Sequence, residues 1–315
     1  VYPPGCFCRC DSCDFWAPCN DLASHSGFKL VQLRSPAGGS IGCMHCCHLR
    51  RNKAKVKSPK TFVILTSQRS GSNFLEHCLD SHGEIQCFGE ILLGIGRLHP
   101  LESPKMLDRL RLARLTWTYV FSGAALWPDR VINDAFTRTD KATVGFRCMY
   151  NQLARSRRAL DCLLERRDMK VIHLRRKNLL RQYISRKQMH NRQAKLGKMA
   201  SHTTKQITVP RVYVPPEKAL AAMRQFVSDG KRFDELFGGH EKLNINYEDL
   251  FENGGLRPSS GKSLCEFLGV EATPMASNLK KMNRQRLEEC VSNYDDLSST
   301  LHETEFSELL TSEDY

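Results

Sequence analysis

From residue 58 onward the sequence predicts an α/β fold, a three-layer sandwich in which a central parallel sheet is flanked by helices. Three observations predict it. Short, mostly apolar runs recur at 61–66, 142–146, 170–174 and 242–246, the pattern of strands buried on both faces. Stretches with helical spacing lie between them, and such alternation implies a parallel sheet. The first run empties into "TSQRSGSN", a turn at the carboxyl end of a strand, where sheets of this kind hold their ligands.

Residues 1–57 form a separate zone, a Cys-rich, loosely structured N-terminal extension to a domain at 58–315. Eight of the fourteen cysteines fall here: Cys6, Cys8, Cys10, Cys13, Cys19, Cys43, Cys46 and Cys47. They suit disulfides in an oxidising compartment, a zinc site of Cys10 and Cys13 with Cys43 and Cys46, or loosely ordered reduced thiols. The 29 residues between the two CxxC pairs exceed the usual zinc-ribbon gap. Cys78, Cys87, Cys148, Cys162, Cys265 and Cys290 are scattered among apolar neighbours, as small buried hydrophobes are. The chain opens on Val1 and is read as a fragment or processed product. The expected compartment is the Golgi or secretory lumen, with membrane contact, if an anchor preceded it, and the cytoplasm otherwise. No run approaches the ~18 apolar residues that span a bilayer.

The first strand and its turn carry the most chemistry. Gly71 allows close backbone approach, and the following helix adds its positive N-terminus, so the turn forms an anion cradle. Arg69 supplies a permanent charge that can bridge phosphate oxygens, and Ser70, Ser72 and Asn73 offer side-chain donors. Against the Walker pattern GxxxxGK[ST], Thr66 replaces the first glycine, Ser72 the lysine and Asn73 the magnesium-ligating hydroxyl. The loop is P-loop-like without the residues that hold a γ-phosphate and Mg²⁺. The bland alternative is an ordinary strand–helix turn. The helix that follows places Phe74, Leu75, Cys78 and Leu79 on one face. A short second strand then leads to Glu90 in "IQCFGEIL".

Further along, the strand at 170–174 ends in Arg175 and Arg176 and passes into a helix holding Ser185. An arginine at a strand's end and a serine in its helix can converge on one phosphate. Two anion sites on neighbouring strand ends suggest a nucleotide with phosphates at both 5′ and 3′ positions. Pro215 and Pro216 open another helix, with Leu220, Met223, Phe226 and Val227 at helical spacing. A third helix is expected at 263–268, ending at Gly269.

Charge supports an anionic ligand without choosing it. The formal net charge is +13, and between Arg155 and Arg211 seventeen Lys/Arg face three acids. Such a field attracts nucleotides, sulfated sugars, nucleic acid or anionic lipid, or is simply a solvated basic face.

These segments resemble the sulfotransferase superfamily that uses 3′-phosphoadenosine 5′-phosphosulfate (PAPS). "ILTSQRSGSNFL" is similar to its 5′-phosphosulfate loop and "HLRRKNLLRQYIS" to its 3′-phosphate segment. Within it, the likeness is to carbohydrate sulfotransferases of the nodulation-factor and trehalose type. "VGFRCMYNQL", "INYEDLFEN", "CEFLGVEA" and "NRQRLEECVSNYDDL" follow in the expected order, over about residues 60 to 300. The resemblance implies a PAPS-dependent enzyme that sulfates a carbohydrate or glycolipid hydroxyl, releases adenosine 3′,5′-bisphosphate, and requires neither metal nor nucleic acid. Arg69, Ser70, Gly71, Ser72 and Asn73 would bind the 5′ end, and Arg175 or Arg176 with Ser185 the 3′-phosphate. Ser185 lies ten residues after Arg175, beyond the usual eight, so the two arginines compete for the role. Glu90 matches the carboxylate base of the carbohydrate enzymes, with Arg69 on the transferring group. His82 is the rival base, and Lys280 and Lys281 are further cations near the nucleotide. Segments 92–134 and 197–215 are expected to shape the acceptor cleft. The competing readings are a P-loop kinase-like phosphotransferase, a basic nucleic-acid-binding protein, and an inactive relative that binds the nucleotide only.

Overall fold

The computed structural model describes residues 7–10, 15–18, 58–92, 128–137, 139–196, 210–252, 255–279 and 285–311. The chain divides into two compact units, Val1–Val56 and Lys57–Tyr315. In the first, β1 (Phe7–Cys10) pairs antiparallel with β2 (Phe15–Pro18). The cysteine arrangements weighed above fall on side chains outside the described residues.

The second unit has the expected α/β architecture. Its strands β3 (Lys60–Thr66), β4 (Ile85–Phe88), β5 (Thr143–Met149), β6 (Lys170–Arg175) and β7 (Lys242–Asn246) form one parallel sheet in the order β4-β5-β3-β6-β7. From central β3 the chain passes out to β4, returns to β5, and crosses to β6 on the other side. That reversal beside β3 leaves a crevice at the carboxyl ends of β3 and β6, where Thr66 lies opposite Leu174.

Alternate residues of each strand feed opposite faces. Phe62, Ile64, Ile172 and Leu174 pack under α1 (Ser72–Asp80) and α7 (Pro258–Leu268). Val63, Leu65, Val144, Phe146 and Val171 pack under α2 (Pro128–Thr137), α3 (Tyr150–Arg155), α4 (Arg157–Leu164) and the end of α6 (Pro216–Leu236). The long helix α5 (Leu179–Leu196) joins a third cluster instead. There Leu180, Tyr183 and Ile184 meet Ala219, Leu220 and Met223 of α6 and Leu297 and Leu301 of α9 (Tyr294–His302), beyond α8 (Leu287–Cys290) in sequence.

Three details depart from the sequence expectation. β5 continues past Phe146 through Arg147, a charge that interrupts the apolar run but is buried in ion pairs. Helix α7 starts at Pro258 rather than 263, with proline suited to the first turn. Val227 of α6 is exposed, because the buried stripe runs through Ala219, Met223, Gly230 and Phe233 and leaves Val227 on its flank. Gly269 closes α7 at φ 67°, as expected of a helix-stopping glycine.

Candidate active site

The loop after β3 is a self-supported turn. Thr66 Oγ1 donates to the Leu174 carbonyl at 2.7 Å, tying the ends of β3 and β6 together. Ser70 Oγ lies 2.5 Å from Thr66 Oγ1 and donates to the Ser67 carbonyl at 2.9 Å. From α5, Gln182 Nε2 donates to Ser67 Oγ and the Gln68 carbonyl at 2.5 and 2.6 Å. The backbone turns through left-handed conformations at Arg69 (φ 65°) and Gly71 (φ 83°). Glycine is required at the second, since a Cβ there would collide with the Tyr247 ring. Helix α1 then starts with no side-chain cap, so its positive end is presented at the loop. Of the expected donors, Ser70 shapes the turn through its buried hydroxyl, Ser72 is buried, and Asn73 stands in the first turn of α1.

The structure brings Arg69, Arg176 and Ser185 together. Arg69 Nε donates to Ser185 Oγ at 3.0 Å. Arg176 Nη1 donates to the Arg69 carbonyl at 3.3 Å, and its guanidinium lies 4.8 Å from the Tyr247 ring centroid. Arg175, the last residue of β6, turns away: its Nη2 donates to Asn244 Oδ1 at 2.9 Å and stands 4.0 Å from Asp234. Of the two candidate arginines, Arg176 is the one at the loop.

This cluster is strongly cationic. Burial first, then the charges of Arg176 and Arg192, lower the Arg69 pKa to about 10. Arg69 is partly exposed to solvent but closely packed, and it stays charged at neutral pH. The Glu248 carboxylate lies just before α5, where it accepts N–H bonds from Lys177 (3.1 and 3.0 Å) and Asn178 (3.1 Å). It lies 3.8 Å from Arg176 Nε.

Glu90 follows β4 and so shares the carboxyl edge of the sheet. Its Oε1 accepts from Arg147 Nη2 at 3.0 Å and its Oε2 from Gln152 Nε2 at 2.9 Å. The Met149 N–H donates to Gln152 Oε1 at 2.9 Å, which fixes that amide's orientation. Arg147 also pairs with Glu76 at 3.0 Å, so one cation is shared by two carboxylates. The Glu90 side chain retains 21% exposure. The Arg147 charge also acts to lower the Arg69 pKa, and Glu90, which follows β4, stands at the same carboxyl edge of the sheet as the loop. Sequence reasoning missed Arg147, Glu76, Gln152 and Arg192. The one available signal was a charge inside the otherwise apolar "TVGFRCM".

His82 is elsewhere. It sits in the turn entering β4, at the amino edge of the sheet. There its Nδ1 accepts the Glu84 N–H at 3.1 Å, so Nε2 donates to the Glu271 carbonyl, 2.9 Å away. Both ring nitrogens are engaged far from the loop. Lys280 and Lys281 lie outside the described residues, as do most of the segments expected to line an acceptor cleft.

No protein-family model and no curated protein matches the chain. Among solved structures, it is similar to a sulfotransferase from Alicyclobacillus acidocaldarius, with 13% identity and a TM-score of 0.42 over 78% of this chain and 95% of that one. It is also similar to the sulfotransferase domain of the curacin biosynthetic pathway, with 18% identity and a TM-score of 0.38 over 69% and 76%. Both are sulfotransferases.

Proposed function

We propose that the chain is a sulfotransferase that moves a sulfuryl group from PAPS to a hydroxyl of a carbohydrate or glycolipid acceptor. The observation that carries this reading is the convergence of Arg69, Arg176 and Ser185 at the crevice between β3 and β6. Two adjoining anion sites there match a nucleotide with phosphates at two positions. Arg69 and the first amides of α1 receive the 5′-phosphate and the transferring group. Arg176 and Ser185 receive the 3′-phosphate. Arginine fits these roles because it stays charged and bonds tetrahedral anions through two donors.

The reaction is an in-line displacement, in which positioning and charge stabilisation do most of the catalysis. The acceptor oxygen forms its bond to sulfur as the bond from sulfur to the bridging phosphate oxygen breaks. The acceptor's proton passes to Glu90, held in place by Arg147 and Gln152, and adenosine 3′,5′-bisphosphate departs. A sulfuryl group carries less charge than a phosphoryl group, so guanidinium and backbone donors suffice and no metal is assigned. The choice of a saccharide acceptor rests on the sequence resemblance.

Titration calorimetry of adenosine 3′,5′-bisphosphate against ATP with Mg²⁺ tests the reading. The bisphosphate should bind in metal-free buffer and be preferred. Arg69→Ala and Ser185→Ala should each weaken it, the arginine change by about tenfold or more, as expected for a lost charge-assisted bond. Absence of binding, or preference for Mg²⁺-ATP, would put a kinase-like phosphotransferase first.

A further inference from the structure

Helix α5 turns one face toward the loop. Gln182 holds Ser67 and Gln68, and Ser185, three residues on, accepts from Arg69. Arg192 lies seven residues beyond Ser185, two turns along the same face and about 10 Å up the axis. Helical side chains lean toward the N-terminus, so a long arginine there reaches back over the Ser185 turn. Arg192 is partly buried and forms no hydrogen bond or ion pair among the described residues. Its charge acts instead on Arg69, and the two repel. Two guanidinium groups near one another and partly out of water repel, at a cost to the free protein, unless an anion joins them.

We infer that Arg192 is a further ligand-binding residue, which closes over the phosphate held at Ser185 and Arg176, next to Arg69, and so completes the 3′-phosphate subsite. This assignment rests on the nucleotide reading above. A tetrahedral dianion seated at Ser185, the side chain that Arg69 bonds, offsets the repulsion between the two guanidinium groups and gives Arg192 a charge-assisted contact. It also places the C-terminal half of α5 over the nucleotide.

The test compares wild type, Arg192→Ala, Arg192→Lys and, as a control for general loss of charge, Lys187→Ala. Each is titrated with adenosine 3′,5′-bisphosphate, adenosine 5′-monophosphate and inorganic sulfate. Arg192→Ala should bind the bisphosphate about tenfold or more weakly and leave the 5′-monophosphate unchanged. Arg192→Lys should recover part of the loss, and Lys187→Ala should match wild type. Wild-type bisphosphate affinity in Arg192→Ala, or an equal loss for the 5′-monophosphate, would overturn the assignment while leaving the nucleotide reading intact. If wild type bound no adenosine nucleotide, that reading would fall. Thermal stabilisation by sulfate in wild type but not in Arg192→Ala would then still support an anion site at Arg192, and equal stabilisation of both would remove it.

Discussion

One residue at the loop is arranged against its own stability. Arg69 holds a left-handed φ of 65°, which costs a side-chain-bearing residue about 1 kcal/mol or more. Its guanidinium is closely packed beside other cations. Neither feature stabilises the free protein, and both suit a site that waits for an anion. Glu90 differs, because both of its oxygens accept hydrogen bonds while part of its surface stays open to solvent. Arg147 divides its charge between Glu90 and Glu76, so it aims the base without belonging wholly to it. Glu90→Gln preserves size, keeps one of the two acceptors and leaves Arg147 paired with Glu76. It should therefore keep its affinity for adenosine 3′,5′-bisphosphate. Turnover of PAPS with a saccharide acceptor should fall by about 10²- to 10⁴-fold, the usual contribution of a positioned base. Unchanged turnover would take Glu90 out of the base role and leave the nucleotide site standing.

The helix that supplies Gln152 is short and is anchored by a buried polar chain. Tyr150 of α3 stacks on Phe233 with ring centroids 4.7 Å apart. Its hydroxyl lies 2.5 Å from His173 Nε2, and His173 Nδ1 lies 3.2 Å from Asp234 Oδ1, which Lys242 also holds at 2.9 Å. The chain joins α3, β6, α6 and β7. It requires neutral histidine, with Nδ1–H donating to Asp234 and Nε2 accepting from Tyr150. Burial, aided by the Arg175 charge, lowers the His173 pKa to about 4, against the opposing pull of Asp234. The unfolded chain takes up this proton near pH 6.5 and the folded one only near 4. The resulting stability is present above pH 6.5 and is lost as pH falls to 4, about 3 kcal/mol in all. Urea unfolding at pH 7 and pH 4 should show wild type losing more stability than His173→Gln by about that amount. Parallel losses would mean that His173 titrates normally. None of this chain was legible in the sequence, where "KVIHLR" reads as an ordinary strand and the partners of His173 lie 23 and 61 residues away. The strands themselves were legible as apolar runs, and the loop by its glycine and arginine after such a run. The supports of Glu90 were not, because Arg147 and Gln152 reach it only once β4 and β5 pair.

At the scale of the whole chain, a net charge of +13 can act in two physically different ways. A diffuse basic surface attracts any polyanion and is screened within a Debye length, about 10 Å at 0.1 M salt. A partly buried arginine cluster at the crevice of a parallel sheet binds one tetrahedral anion at close range and is screened much less. Sulfate and chloride at equal ionic strength separate the two. Sulfate also stabilises proteins generally through its exclusion from their surface, so the informative quantity is the difference between wild type and Arg69→Ala. Specific binding stabilises the folded state by RT ln(1 + [L]/Kd), about 1.4 kcal/mol for each tenfold rise in sulfate above Kd. Thermal unfolding should show this increment in wild type, while Arg69→Ala keeps only the general effect. Identical responses would mean that the cluster holds no tetrahedral dianion. If steeply salt-dependent DNA or RNA binding accompanied that result, the basic stretch from Arg155 to Arg211 would be a nucleic-acid surface instead. A sulfate response confined to wild type would locate the functional charge in the loop, where the order of the strands has gathered it.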